Sequence, residues 1–350
     1  MEKITVNGST SYDVLVEHGI IDRAGELLRE NIGGEKAFIV TDSNVATLYL
    51  SKVSDSLKEA GYEVSSIVLA SGESTKSVEN YTFLMNLLSE HDFAKTDLVI
   101  ALGGGVIGDL TGFVASTFKR GIRLVQMPTS LLSAVDSSIG GKTAINLPAA
   151  KNQVGTIYNP AMVICDPSLM LSLSEVSLKD GYAEIIKYGI LSGYDIIEAL
   201  RDAIDTGDYT SVICQAISTK RDVVEMDEGD TDFRQYLNLG HLIGHAIEAS
   251  ADYEIQHGAA VARGLVWEAR SCAFAGYTVM STYMEISDLL EEFGFDISET
   301  YRLDELMPFI MRDKRIRDGV IQILTPVHIG ECIMRPLSAN QLETFVKLGL

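Results

Sequence analysis

Asp97-Leu98-Val99-Ile100-Ala101-Leu102-Gly103-Gly104-Gly105-Val106-Ile107-Gly108-Asp109 decides how this chain folds. A short apolar run breaks into glycines and an amphipathic stretch follows, which spells strand, tight turn, helix. Gly103, Gly105 and Gly108 satisfy the spacing G-x-G-x-x-G. Glycine at such a turn lets backbone amides at a helix N-terminus approach a phosphate. The same texture repeats around it. Tyr12–Val16, Ala37–Thr41, Val64–Leu69, Arg123–Met127 and Met162–Cys165 read as strands, several of them rich in Val and Ile, as suits burial on both faces. Amphipathic stretches such as Asn44–Ala60 and Val78–His91 lie between them. This alternation predicts a Rossmann-like, doubly wound α/β domain.

The turn alone does not name its ligand. In the common dinucleotide fingerprint it follows the first strand, with an acid about 20 residues on. Here it follows roughly the fourth strand, and the acid suited to a ribose hydroxyl is upstream, Asp42. Asp42 is equally suited to cap a helix.

After Asp166-Pro167 the texture changes to long helical patterns, among them Gly181–Ile190, Tyr209–Met226 and Ala259–Phe274. A hairpin over Val320–Leu324 and Cys332–Met334 precedes a last helix, Ala339–Leu348. We expect an α/β domain over 1–166 and a mainly α-helical domain over 167–350.

The net charge of −21 argues against nucleic acid and anionic membranes as partners. An anionic ligand would need a local island of positive charge. The four cysteines are scattered, the first residues lack an apolar signal core, and no run reaches membrane-spanning length. These features lead us to expect a cytoplasmic protein.

Two segments carry chemistry. Pro128–Thr143 is rich in hydroxyls and glycine, includes Lys142, and is soon followed by Lys151-Asn152. Hydroxyls, glycine amides and lysines together suit an oxyanion. Gly140-Gly141-Lys142-Thr143 lacks the full P-loop spacing, which argues against an ATPase. The second segment places Arg234, Asn238, His241, His245 and Glu248 at offsets of +4, +3, +4 and +3, one face of a continuous helix. His257 follows in a short loop, and Glu184 and Lys187 lie upstream at i, i+3. Histidines and a carboxylate suit a catalytic zinc, which takes three protein ligands and keeps a position open. Spacing leaves undecided whether His245 binds the metal or works beside it. H-E-x-x-H is absent, which argues against a zincin protease.

Taken in order, GGGVIGDLTGFVAS at 103–116, KRG at 119–121, PTSLLSAVDSSIGGKTAIN at 128–146, KN at 151–152, AEIIKYG at 183–189, NLGHLIGHAIEA at 238–249 and RDKR at 312–315 resemble the 3-dehydroquinate synthases, members of the sugar-phosphate cyclases. The resemblance implies a lyase of the shikimate pathway that uses NAD and zinc, or cobalt, and releases phosphate from a sugar-acid phosphate. It implies zinc ligands at Glu184, His241 and His257, with His245 an acid/base on the phosphate side. Asp42, Glu73, Lys76, Gly104, Gly105, Asp109, Thr129 and Ser130 would hold NAD, with Lys142 and Lys151 near it. Asp136, Lys142, Asn152, Lys187, Lys220, Arg234, Asn238 and Lys314 would surround the substrate. Arg120 would reach the phosphate in a neighbouring subunit, implying a homodimer. The rival readings are a sister cyclase making an inosose or valiolone, and a metal-dependent alcohol or glycerol dehydrogenase. Three positions depart from the family's usual wording: Ala259 where H-G-E is common, Ala150 before Lys151-Asn152, and Leu173-Ser174 for Leu-Pro.

Overall fold

The structure, a computed structural model, describes residues 1–148, 150–252, 254–313 and 315–350. The chain divides into two compact units. The first combines Met1–Ser174 with Gly207–Gly229, and the second Glu175–Thr206 with Asp230–Leu350. Where the texture of the sequence suggests one crossing near Pro167, the segment Gly207–Gly229 thus groups with the first unit.

The core of the first unit is a seven-stranded sheet. Its strands are β1 (Glu2–Val6), β2 (Tyr12–Val16), β3 (Lys36–Asp42), β4 (Glu63–Leu69), β5 (Leu98–Gly103), β6 (Arg123–Pro128) and β9 (Met162–Cys165), in the order β1-β2-β9-β6-β5-β3-β4. β1 pairs antiparallel with β2, and every other pairing is parallel. All six residues of β5 are buried, which is why its sequence is uniformly apolar. Around the sheet lie α1 (Ala24–Asn31), α2 (Ser51–Glu59), α3 (Val78–Glu90) and α4 (Gly105–Thr117). Leu84, Leu88, Leu110, Phe113 and Val114 from α3 and α4 join Phe38, Val40, Val99 and Ala101 in one core.

Two strands fall where the sequence suggests an oxyanion loop. β7 (Lys142–Leu147) and β8 (Ala150–Ile157) form an antiparallel hairpin. Burial alternates along β7, but residue type does not follow it, with polar Thr143 on the buried side and apolar Ala144 on the other, so no hydrophobic pattern announced the strand.

The second unit is mainly helical: α5 (Glu175–Ser192), α6 (Tyr194–Thr206), α8 (His241–Ser250), α9 (His257–Phe274), α10 (Met280–Glu292), α11 (Leu303–Ile310) and α12 (Ala339–Lys347). The helix α7 (Thr210–Met226) belongs to the first unit. The expected hairpin is present and longer than its apolar cores, as β10 (Val320–His328) and β11 (Glu331–Ser338). Leu242, Ile243, Ile247, Trp267, Ile321, Leu342 and Phe345 meet in the core of this unit.

The polar stripe is not one continuous helix. Arg234 and Asn238 stand on a 3-10 turn, Phe233–Asn238, and α8 begins afresh at His241. Gly240 breaks the run with φ +75, a left-handed conformation an α-helix does not contain. His257 is likewise the first residue of α9 rather than a loop residue.

Candidate active site

In the first unit, strand register assembles one group of polar residues. Thr41 pairs with Leu102 and Gly103 with Pro128. This brings Asp42, the glycine turn and Thr129-Ser130 to neighbouring strand ends, at the carboxyl edge where parallel sheets bind ligands. Asp42 Oδ1 accepts from Asn44 N at 2.8 Å and Val45 N at 3.2 Å, so the capping role is real whatever else it holds. Gly104 precedes α4 without giving it a side-chain cap, and the first turn of α4 has no acid. A Cβ on Gly105 would lie 3.1 Å from Ser137 Oγ, and one on Gly104 3.4 Å from Ser130 Oγ. The helix end is therefore bare and close-walled, which fits a pyrophosphate.

A second network lies beside it. Lys76, only 4% exposed, donates to Asp109 Oδ2 at 2.6 Å and to Asn152 Oδ1. Burial pushes the Asp109 carboxyl up, and Lys76 pulls against it. Asn146 ties these residues to Glu73: its Nδ2 donates to Glu73 Oε1 at 2.7 Å, its Oδ1 accepts from Asn152 N at 2.9 Å, and its N–H donates to Lys76 O at 2.8 Å. Asn152 is held at φ +55. Sequence reasoning quoted Asn146 within a motif but gave it no role. Elsewhere in this unit, Lys220 on α7 donates to the Asp136 carbonyl at 2.6 Å and pairs with its carboxylate at 2.7 Å. Lys142 and Asn152 are exposed on the hairpin, and Lys151 is half-buried.

Arg120 is not brought to this group. It follows the C-terminal end of α4, one helix length of roughly 20 Å from Gly105. Lys119, Arg120 and Gly121 take successive φ values of +49, +64 and +116. For two residues with side chains this is strained backbone.

In the second unit, Glu184, His241 and His257 converge. Glu184 is fully buried on α5, and its Oε1 lies 3.2 Å from both His241 Nε2 and His257 Nε2. All three ligand atoms fall within 4.8 Å of one another. Tetrahedral bonds of about 2.0–2.1 Å place ligand atoms about 3.3 Å apart, so the donor set fits zinc. The outer nitrogens are also engaged. His241 Nδ1 faces Leu239 O at 3.0 Å and His257 Nδ1 faces Glu248 Oε1 at 3.4 Å, leaving each Nε2 for the metal. Burial opposes a charge on Glu184, yet Lys187, with His241 and His257, holds the carboxyl well below the usual range. Lys187 is itself buried, paired with Glu184 and placed over the Tyr188 ring. His245 stands beside the triad, its ring 5.2 Å from that of His241 and 6.2 Å from that of His257. Part of the ring reaches solvent, but desolvation and then His241, Arg315 and His257 push it well below its ordinary pKa. It is a neutral base at pH 7. Arg234 is buried and Asn238 half-buried on the turn before Gly240, while Lys314 lies outside the described residues.

Residues 66–180 match the family described as 3-dehydroquinate synthase N-terminal, and residues 181–316 the one described as 3-dehydroquinate synthase C-terminal. The chain belongs to the 3-dehydroquinate synthase family. A 3-dehydroquinate synthase of Streptococcus pneumoniae (strain 70585) is 37% identical over 342 residues, 96% of each chain. Among solved structures, 2-deoxy-scyllo-inosose synthase in complex with carbaglucose-6-phosphate, NAD+ and Co2+ superposes over 100% of both chains, with a TM-score of 0.89 and 21% identity. The 2-epi-5-epi-valiolone synthase of Streptomyces hygroscopicus subsp. jinggangensis 5008, with NAD+ and Zn2+ bound, gives 0.88 at 21%, over 99% of this chain and 97% of that one. These two likenesses establish the fold.

Two carboxylates near the Glu184–His241–His257 cluster, the half-buried Asp180 and the buried Glu268, escaped sequence reasoning. Asp180 accepts from Gly258 N at 2.8 Å. Glu268 accepts from Gly240 N at 2.7 Å and Leu324 N at 3.3 Å, holding the turn that starts α8. Burial pushes Glu268 up to about 7, from an ordinary 4.5. The folded state thus holds a proton that the unfolded chain has released. The stability this gives is fully present below pH 4.5 and is lost as pH rises through 7. Glu268→Gln removes the titration. Between pH 4.5 and 8 the variant should gain about 3 kcal/mol relative to the parent. Urea unfolding at both pH values measures this, and parallel profiles would refute it.

Proposed function

We infer that this chain is a 3-dehydroquinate synthase, converting 3-deoxy-D-arabino-heptulosonate 7-phosphate to 3-dehydroquinate and phosphate. The observation that carries the reading is the Glu184–His241–His257 triad, with ligand atoms at zinc spacing, in a chain of this family. NAD, when bound, would supply transient, reversible oxidation of a substrate carbinol, with no net change in its own redox state, so that the net reaction is that of a lyase. A divalent metal, zinc or cobalt, supplies Lewis acidity at the substrate's hydroxyls.

The residues of the chain bind and orient. Asp42 holds the ribose, while the bare N-terminus of α4 with Gly104, Gly105, Thr129 and Ser130 holds the pyrophosphate. Glu73, Lys76 and Asp109, braced by Asn146, complete the NAD site, with Lys142 and Lys151 on its substrate side. Asp136, Asn152, Lys187, Lys220, Arg234, Asn238 and Lys314 position the sugar acid. The cations among these residues complement its carboxylate and phosphate. His245, held neutral, takes or relays a proton on the phosphate side. Phosphate release should stop in chelator and resume with zinc, with no net NADH in either state. Lasting NADH absorbance without phosphate release would indicate a metal-dependent dehydrogenase instead.

Arg120, so far from Gly105 along its own chain, supports a homodimer in which it serves the partner's substrate phosphate. Arg120→Ala and His257→Ala, each inactive alone, should recover activity when mixed under subunit exchange. Random reassortment makes half the dimers hybrid with one sound site each, so about a quarter of parental activity is expected. No recovery in demonstrated hybrids would place Arg120 in its own subunit's site. No helix among the described residues is long and apolar enough to cross a membrane. The four cysteines are free, which suits a reducing compartment, and we place the enzyme in the cytoplasm.

A further inference from the structure

We propose that Asp180 is a positioning residue for the metal site: by holding the first turn of α9 against α5 it fixes His257 opposite Glu184. The inference rests on the assignment of Glu184, His241 and His257 as metal ligands.

A helix N-terminus leaves backbone N–H groups that need partners from outside the helix. His257 is the first residue of α9, so the orientation of its imidazole depends on how firmly that first turn is held. The local sequence offers little hold. Gln256, in the N-cap position, makes no side-chain bond to the helix, and the first turn contains no acidic residue. The third residue of α9 is Ala259, whose side chain offers no acceptor.

The partner comes from another helix. Asp180 Oδ1 accepts from Gly258 N at 2.8 Å, across 78 residues of sequence. Burial pushes the Asp180 carboxyl up, against the pull of the Gly258 N–H and of His257. The approach is tight enough to dictate the residue it meets. A Cβ on Gly258 would lie 2.5 Å from Asp180 Cα and 2.9 Å from Lys179 O. Backbone therefore touches backbone where the two helices cross.

Asp180 and Glu184 are four residues apart on α5, neighbours on one face. The same face of a single rigid helix thus supplies a ligand to the metal and a brace to the residue carrying the opposing ligand. His257 is held at three points: Glu248 behind its ring, Glu184 in front of it, and Asp180 beneath its backbone through Gly258.

The test is zinc affinity, measured by chelator competition on the full-length protein, together with the visible spectrum of the cobalt-substituted protein. Asp180→Ala removes the acceptor and should weaken zinc binding by about 10–100-fold, the usual effect of losing an outer partner of a ligand. The cobalt spectrum should shift as the His257 ligand loosens. Asp180→Asn keeps a carbonyl oxygen for Gly258 N and should restore affinity to within about threefold of the parent. Circular dichroism and thermal unfolding of the metal-free proteins show whether each variant folds. If Asp180→Ala does not fold, the comparison of parent with Asp180→Asn and with Gly258→Ala, which wedges the same contact apart, takes its place. Gly258→Ala should then bind zinc at least tenfold more weakly than Asp180→Asn.

Parental zinc affinity in Asp180→Ala would overturn the proposal, even with a lowered melting temperature, because a merely structural cap moves stability alone. Asp180→Asn as weak as Asp180→Ala would overturn it too, since the hydrogen bond would not be the cause. His257→Ala separates this from failure of the underlying assignment. If His257→Ala binds zinc like the parent, the ligand set is wrong. If His257→Ala loses zinc while Asp180→Ala keeps it, only the role of Asp180 falls.

Discussion

His257→Ala is expected to lose metal and turnover together. His257 supplies one of three donors, and its Nε2 lies 3.2 Å from the Glu184 oxygen that faces the same point. With one ligand gone, zinc retains a carboxylate and one imidazole. The loss of affinity should exceed the ~10–100-fold that follows removal of an outer-shell partner. Metal content after dialysis and phosphate release measure the two effects separately. NAD affinity is the internal control, because the residues assigned to NAD all belong to the other unit. Parental turnover by a protein shown to be metal-free would sink the zinc assignment.

Lys76→Met should have the largest effect on stability. Lys76 is 4% exposed and holds Asp109 and Asn152 at once. Methionine preserves much of the stem and removes the charge. Asp109, whose carboxyl burial already pushes up, is left without its main counter-charge. Removing one partner of a buried pair costs ~3–5 kcal/mol, and we take about 3 because Asp109 can escape part of the cost by protonation. For a unit of this size that corresponds to a fall in melting temperature of roughly 10 °C. The sign with pH follows from the same escape. The unfolded chains titrate alike, so the deficit is small in acid and grows as pH rises past the folded parent's Asp109 pKa, which burial already holds above the ordinary carboxyl value. NAD binding should weaken while zinc affinity stays. A stability loss that is flat with pH would mean that Asp109 is not the group left exposed to the change.

The parallel sheet was legible because strands such as β5 are buried on both faces, and an unbroken apolar run states that directly. The hairpin β7–β8 was not, since half-exposed strands carrying Lys142, Lys151 and Asn152 look like a polar loop. Among site residues, the His241/His245 pair could be read from i, i+4 spacing, a local property. The continuity assumed through Arg234 and Asn238 failed at Gly240, because a glycine inside a helical pattern does not announce the sign of its φ. Asn146, Asp180 and Glu268 could not be seen for a different reason. Each acts on a backbone or side-chain group brought near only by tertiary folding: Glu73 for Asn146, Gly258 for Asp180, Gly240 and Leu324 for Glu268.

The return of Gly207–Gly229 to the first unit makes that unit discontinuous in the gene. Its sheet edge is tied to the returning helix, with Glu225 accepting from Asn7 N at 2.7 Å and Glu228 from Ser9 N at 2.8 Å, and Lys220 is secured on Asp136. A polypeptide ended after Ser174 would contain every strand of the sheet and still lack these fastenings. Excising the first unit therefore requires splicing Gly207–Gly229 back on through an artificial linker. Simple deletion from the C-terminus, in the laboratory or by a nonsense mutation, leaves a fragment without the Glu225 and Glu228 ties to its edge and without the Lys220–Asp136 pair.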